Sequence, residues 1–193
     1  SSCEIFGDTK KKLKEESEKN PLNIYGLSKL ISFNCVKFYR ENYKVFACSA
    51  INFHHESVLR GKEFVIPKII RGAKQIHEKK INHLSMGNLN VIKDWGWAPE
   101  YIQLFHKMLC QKKPEDFVIA TGKSVKLKYI IKKVFENYKL NWKKYIKIDK
   151  NYIRKKDYQS TFANPIKIKK KLNWKPKNKI DSVLLKLINN EIF

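Results

Sequence analysis

In the stretch "NIYGLSK", Tyr25 and Lys29 stand four residues apart, so a helix would carry both on one face. A phenol titrates near pH 10 and is a poor base at neutral pH unless a neighbouring cation stabilises its phenolate. Lys29 brings that cation. The pair has little specificity by itself, because Tyr39 and Tyr43 also have lysine neighbours and any amphipathic helix can present a surface pair at this spacing. Upstream, "SSCEIFG" offers the Ser2 hydroxyl and, two residues on, the Glu4 carboxyl. A carboxyl group can remove a proton as general base and return one as general acid. The "FHHES" stretch brings two histidines together, but neighbours in an extended chain point to opposite faces, so His54 and His55 are not expected to share a metal ion. Cys3, Cys35, Cys48 and Cys110 form no C-x-x-C pair and have no histidines at ligand spacing. They read as reduced, packed thiols.

The elements that would position these groups alternate. Apolar residues at helical spacing predict a helix over Tyr25–Asn42, and the β-branched and aromatic run "VFACSAINF" predicts a buried strand over Val45–Phe53. A loop over His54–Lys62, a helix over Phe64–Lys79 and a short strand in "HLSMG" follow. Then come a helix over Tyr101–Cys110, a strand over Phe117–Thr121 and helices over Val125–Tyr138 and Ser182–Asn190. The charged segment Lys10–Asn20 reads as a loop ending at Pro21. Strands alternating with helices predict an α/β fold with a mainly parallel sheet. The seven glycines are scattered with no G-x-G or G-x-x-G window, so either the fold is not a dinucleotide binder or the half that carries the glycine turn precedes Ser1.

The chain has 193 residues, 42% of them hydrophobic, enough for one core and part of a second. No apolar run approaches the roughly 20 residues of a membrane span, and the reading is of a cytoplasmic protein. Its net charge of +23 raises the question of nucleic acid. Arginine, the residue suited to bidentate phosphate and base-edge recognition, occurs only at positions 40, 60, 71 and 154. The remaining positive charge is lysine, set among Ile, Asn, Phe and Tyr as an A+T-rich coding bias produces. A solvated lysine-coated surface is the simpler reading, with no nucleic-acid and no membrane partner.

Taken together, the motifs resemble one family. "SSCEIFG" is similar to the Ser/Thr-bearing strand end that precedes Y-x-x-x-K in the extended short-chain dehydrogenases/reductases, and specifically to that of the GDP-mannose 4,6-dehydratases. "FHHES" with "LRG", "FVIPKI", "MGNLNVIKDWGWAPEYI", "PEDFVIATG", "YIRKKD" and "KKLNWKP" resemble that family's segments in the same order. The resemblance implies the C-terminal half of a Rossmann-type parallel sheet interleaved with a small α/β substrate-binding domain. Residues 1–53 and 91–121 would belong to the former, and 54–90 and 122–193 to the latter. It also implies that the glycine-rich turn lies before Ser1 in a longer enzyme.

By the same resemblance Ser2, Glu4, Tyr25 and Lys29 are catalytic, and Tyr25, Lys29, His55 and Arg60 contact NADP. His54, Val65, Lys68, Lys93, Arg154 and Asp157 contact a GDP-sugar. The implied reaction turns a GDP-hexose or GDP-heptose into its 4-keto-6-deoxy derivative, in an enzyme that forms a homo-oligomer when full length. Several positions depart from the family pattern: His54 replaces an asparagine, Lys93 an arginine and Asp157 a glutamate. The sugar, GDP-mannose or GDP-manno-heptose, is left open by the first of these. Two rival readings stand beside this one, a nucleotide-sugar 4-epimerase of the same fold and a basic nucleic-acid-binding module.

Overall fold

The computed structural model describes residues 1–153 and 159–191, so Arg154 and Asp157 lie outside the described residues. The elements in chain order are β1 (Lys12–Leu13), α1 (Ile24–Tyr43), β2 (Ala50–Asn52), β3 (His54–Glu56), α2 (Val65–His77), β4 (Leu84–Met86) and β5 (Ile92–Trp97). They continue with α3 (Ala98–Leu109), β6 (Phe117–Ile119), β7 (Ser124–Lys126), α4 (Leu127–Asn137), α5 (Trp142–Tyr145), β8 (Ile146–Ile148), β9 (Phe162–Ala163), α6 (Ile166–Lys171) and α7 (Ile180–Ile188). The expected α/β architecture is present. The pairs β1–β9, β2–β6, β3–β5 and β4–β8 are parallel, and only β5–β7 is antiparallel among the described pairs.

The site is positioned by three stretches of chain lying side by side. Ser2 bridges Asn52 in parallel, and β2 runs parallel to β6, pairing Asn52 with Ile119. The ladder is short. Of the run read as a strand from Val45, the ladder covers Ala50–Asn52, with Ser49 and Phe53 bonded to β6 at its two ends; Val45 and Phe46 are exposed and no described strand lies beside them. Tertiary pairing, not β-propensity, decides where the strand begins.

The stretch read as a loop at His54 instead opens with β3, which pairs with β5, a strand that alternation did not reveal because Asp94 and Gly96 interrupt it. Asp94 is fully buried and accepts hydrogen bonds from the Thr121 N–H (3.0 Å), the Thr121 hydroxyl (2.7 Å) and the Gly122 N–H (2.7 Å), tying β5 to the end of β6. Likewise, the first residues read as the helix at Val125 form β7 against β5 before α4 begins.

Three apolar clusters form the interior. Cys3, Ile5, Phe6, Phe33, Ile51, Phe53 and Val118 pack beneath α1, while Tyr101, Leu104, Phe117, Ile119, Ile168 and Trp174 join α3 and α6 to the other face of β6. The third, Ile66, Ile69, Ile76, Leu84, Trp95, Ile130, Val134 and Leu184 among others, joins α2, α4 and α7.

The charged segment Lys10–Asn20 is largely exposed, as expected of a loop, but it is pinned to the fold at two residues. Leu13 is buried, Asn164 N–H donates to the Leu13 carbonyl, and the buried Glu15 carboxylate accepts the Val118 N–H at 2.8 Å, satisfying an edge donor of β6.

Candidate active site

Glu4 sits in a 3-10 turn, Cys3–Phe6, which starts where Ser2 leaves the sheet. The Ser2 side-chain oxygen accepts the Glu4 N–H at 3.3 Å, capping the turn while leaving its O–H as a donor. The turn stops at Gly7, whose φ of +76° suits glycine; a Cβ there would come within 2.2 Å of the Asn20 carbonyl oxygen. Helix α1 packs on this turn.

The first turn of α1 brings the second half of the site. Asn23 is the N-cap, its Oδ1 accepting the Gly26 N–H at 2.7 Å and its Nδ2 donating to Glu4 Oε2 at 2.9 Å. Tyr25 is half exposed, and the Lys29 ammonium lies 5.4 Å from its ring centroid, so the helix spacing does bring phenol and cation together. The Ser1 hydroxyl donates to the Lys29 carbonyl at 3.3 Å, binding the helix to the start of the site.

Residues from β3 and β5 close one side. His54 stacks obliquely on Trp95, ring centroids 5.9 Å apart, with its Nδ1 4.0 Å from Cys3 Sγ. Burial, and then the charges of Lys93 and Arg60, hold the His54 imidazole neutral by pushing its pKa well below the ordinary value. Burial, reinforced by Glu4, pushes the Cys3 thiol up to about 12, so Cys3 is packing and not a nucleophile. His55 faces the other way, as expected, its Nδ1 2.8 Å from the Phe53 carbonyl and its ring beside Tyr101. Arg60 reaches back to the His55 carbonyl at 3.4 Å and lies 3.8 Å from the Phe64 ring centroid.

The residues implied for the nucleotide fall into two places. Lys93, on β5, interacts electrostatically with His54 and Cys3. Val65 and Lys68 lie on the first turn of α2, where the Lys68 ammonium stands 3.7 Å from the Tyr152 ring centroid. Burial, then the nearby Arg71 charge, lowers the Lys68 pKa. Glu4 is tied to the first turn of α1 through Asn23, Lys29 stands beside Tyr25 on that helix, and His54 and Lys93 both interact with Cys3, while Val65 and Lys68 lie on the first turn of α2.

Ser2 bridges Asn52, the last residue of β2, so the turn that carries Glu4 starts at the C-terminal end of that parallel strand, where α/β sheets bind ligands. Between residues 1 and 187 the chain matches the family model described as GDP-mannose 4,6 dehydratase. The chain belongs to the GDP-mannose 4,6 dehydratase family.

Curated relatives agree: GDP-mannose 4,6 dehydratase 1 of Arabidopsis thaliana is 34% identical over 191 residues, covering 99% of this chain and 53% of that protein. The Homo sapiens GDP-mannose 4,6 dehydratase is 32% identical over 210 residues, covering 100% and 56%. The chain therefore spans about half the length of the curated relatives it matches.

Solved structures resemble the fold. RMD from Pseudomonas aeruginosa, complexed with NADPH, superposes with a TM-score of 0.89 at 18% identity, covering 98% of this chain and 64% of that one. The dTDP-glucose 4,6-dehydratase of Bacillus anthracis, in complex with NAD, gives 0.88 at 16% identity, covering 98% and 59%. Both extend the α/β reading to a Rossmann-type fold.

Sequence reasoning missed Asn23, Asp94 and Glu15. Asn23 carried a signal, an N-cap residue type immediately before the helix. Asp94 and Glu15 carried none, since their partners are backbone donors distant in the chain.

Proposed function

We propose that this chain contributes the elimination machinery of a GDP-sugar 4,6-dehydratase. The observation that carries the reading is the Glu4 carboxyl, bonded at 2.9 Å to the cap of the helix that bears Tyr25 and Lys29. An epimerase acting at C4 needs the hydroxyl, phenol and ammonium. Loss of water from C5 and C6 also needs a group that takes one proton and gives another. A nicotinamide dinucleotide, which we propose to be NADP, supplies the hydride acceptor and donor when bound. The donor set fits such a group. Beside the half-exposed Tyr25 phenol stands the Lys29 ammonium, and Arg60, whose Nε lies 3.8 Å from Glu56 Oε2, adds a second cation.

In this reading Tyr25, acting as a phenolate beside the positive charge of Lys29, accepts the proton of the sugar's C4 hydroxyl and becomes a neutral phenol, and the Ser2 O–H polarises the C4 oxygen. Glu4 then takes the C5 proton. The C5–H electron pair becomes the C5=C6 double bond, the C6–O bond breaks, and the proton held by Glu4 goes to the departing oxygen to make water.

We propose that GDP is bound by Val65, Lys68, Lys93 and, outside the described residues, Arg154 and Asp157. His55 and Arg60 are proposed to hold the dinucleotide. His54, a neutral imidazole against Trp95, is proposed to face the sugar, so GDP-mannose is the first substrate to assay and GDP-manno-heptose the second. The division into residues 1–53 with 91–121 and 54–90 with 122–193 belongs to the same proposal, with α6 packing across it onto β6. Cytoplasmic location and homo-oligomerisation of the whole protein are proposed on the resemblance alone.

The test uses the longest native protein that contains these residues. Glu4→Gln should lower formation of the 4-keto-6-deoxy product by about 10²–10⁴-fold, the usual worth of a general acid–base group, while reduced nicotinamide still forms. Tyr25→Phe should abolish both and leave GDP binding by calorimetry unchanged. Undiminished product in Glu4→Gln removes the carboxyl from the mechanism, and a 4-epimer as the product identifies an epimerase instead.

A further inference from the structure

We infer that Asn23 is a positioning residue for elimination: its side-chain amide links the Glu4 carboxyl to the helix that carries Tyr25. The inference rests on the function proposed above. Both ends of the amide are engaged, the oxygen with the Gly26 N–H at 2.7 Å and the nitrogen with Glu4 Oε2 at 2.9 Å. Its orientation is determined by these partners, because the Gly26 N–H requires an acceptor and the carboxylate a donor.

Other good N-cap residues cannot do both things in the same way. Aspartate caps a helix but has no proton to donate when ionised, and it would set a second negative charge beside Glu4. Serine caps equally well but is shorter and presents one oxygen in place of a planar amide with separate donor and acceptor. Asparagine alone among the favoured caps carries an acceptor for the helix and an NH₂ for the carboxylate at opposite edges of one plane. Here that plane spans the gap between the 3-10 turn and the first turn of α1. Tyr25 lies two residues after Asn23, so the amide ties the group that opens the reaction to the group that expels water.

Alignment of a base with the C–H bond it breaks is a steep requirement, and a misplacement near 1 Å costs about 10²-fold in rate. C4 oxidation does not use Glu4 and is insensitive to this bond. The two half-reactions should therefore separate when Asn23 is changed.

The experiment compares the native protein with Asn23→Ser, Asn23→Asp and Asn23→Ala on GDP-mannose. It follows reduced-nicotinamide absorbance for C4 oxidation, 4-keto-6-deoxy product for elimination, and thermal unfolding for the cap. Melting should follow capping: Ser and Asp variants unfold with the parent, and the Ala variant earlier. Elimination should follow the amide instead, falling about 10–100-fold in all three variants while reduced nicotinamide accumulates. Asn23→Asp supplies the same reading with the cap kept by a carboxylate, should Asn23→Ser prove less stable than the parent. If Asn23→Ser or Asn23→Asp melts with the parent and eliminates water at the parental rate, Asn23 is only a cap and the inference is overturned. Equal loss of oxidation and elimination in the Ser and Asp variants overturns it too, since the residue then acts through the helix as a whole. A parent protein that forms no 4-keto product overturns the reading of the site together with this inference.

Discussion

Helices α1 and α2 sit in the same chain but are held by opposite means. Of the 20 residues of α1 only Gly26 and Phe33 are buried, and Ile24, Leu27, Ile31, Phe38, Tyr39 and Tyr43 are exposed. Helix α2 is shorter, 13 residues, yet buries Ile66, Ile69, Gly72, Ala73 and Ile76 on one face. Helix α1 is therefore placed largely by polar contacts near its ends. At the N-terminus these are Asn23 to Glu4 and Gly26. Towards the C-terminus Arg40 forms a fork on Asp116 at 2.7 and 2.8 Å and donates to the Ala47 carbonyl. Helix α2 is placed by close packing. Directional bonds set angles and distances, whereas burial sets free energy, so the first arrangement suits a site and the second a foundation.

The sharpest test of that contrast is a pair of truncations. Ile69→Ala in α2 should cost about 2–5 kcal/mol in denaturant unfolding, because a buried side chain leaves a cavity. Leu27→Ala in α1 should stay within about 0.5 kcal/mol. A comparable loss at both positions would break the distinction.

A second test concerns a buried carboxyl outside both helices. Glu56, in β3, is nearly inaccessible, and burial pushes its pKa to about 7, with Arg60 at 3.8 Å opposing only in part. The folded state thus keeps a proton that the unfolded state releases near pH 4.5, and stability contributed by the neutral carboxyl falls as pH rises from there through about 7. The span corresponds to at most about 3 kcal/mol. Thermal unfolding from pH 5 to 8 should show this decline, and Glu56→Gln should flatten it. A slope unchanged by Glu56→Gln assigns it to other groups.

The smallest expected effect is at the far end of α1. Although burial alone would raise the Asp116 pKa, the Arg40 fork and the Ser49 N–H hold that carboxyl below its ordinary range. Arg40→Lys keeps the charge but loses the fork, and should cost about 1–2 kcal/mol in urea unfolding. An effect within error would mean that α1 is held at its N-terminus alone.

Much of the site was legible because its chemistry is local. Tyr25 and Lys29 meet through helical spacing, Ser2 and Glu4 through a four-residue turn, and the opposed orientations of His54 and His55 follow from the period of an extended chain. The element types were legible for the same reason, since α1, α2, α4, β4 and β6 each announce a period or a compact apolar run. What needed the tertiary structure were partnerships between distant positions. Strand β5 exists because β3 and β7 flank it, β2 is short because only the end of its run lies beside β6, and Glu15 is buried within a charged segment because its carboxylate accepts the Val118 N–H. The bond from Asn23 to Glu4 is of the same kind, joining residues 19 apart in the chain. Periodicity reports which face of an element is apolar and which residues an element brings together, but pairing across a fold depends on where the elements are set, and that is decided by burial and hydrogen-bond satisfaction in three dimensions.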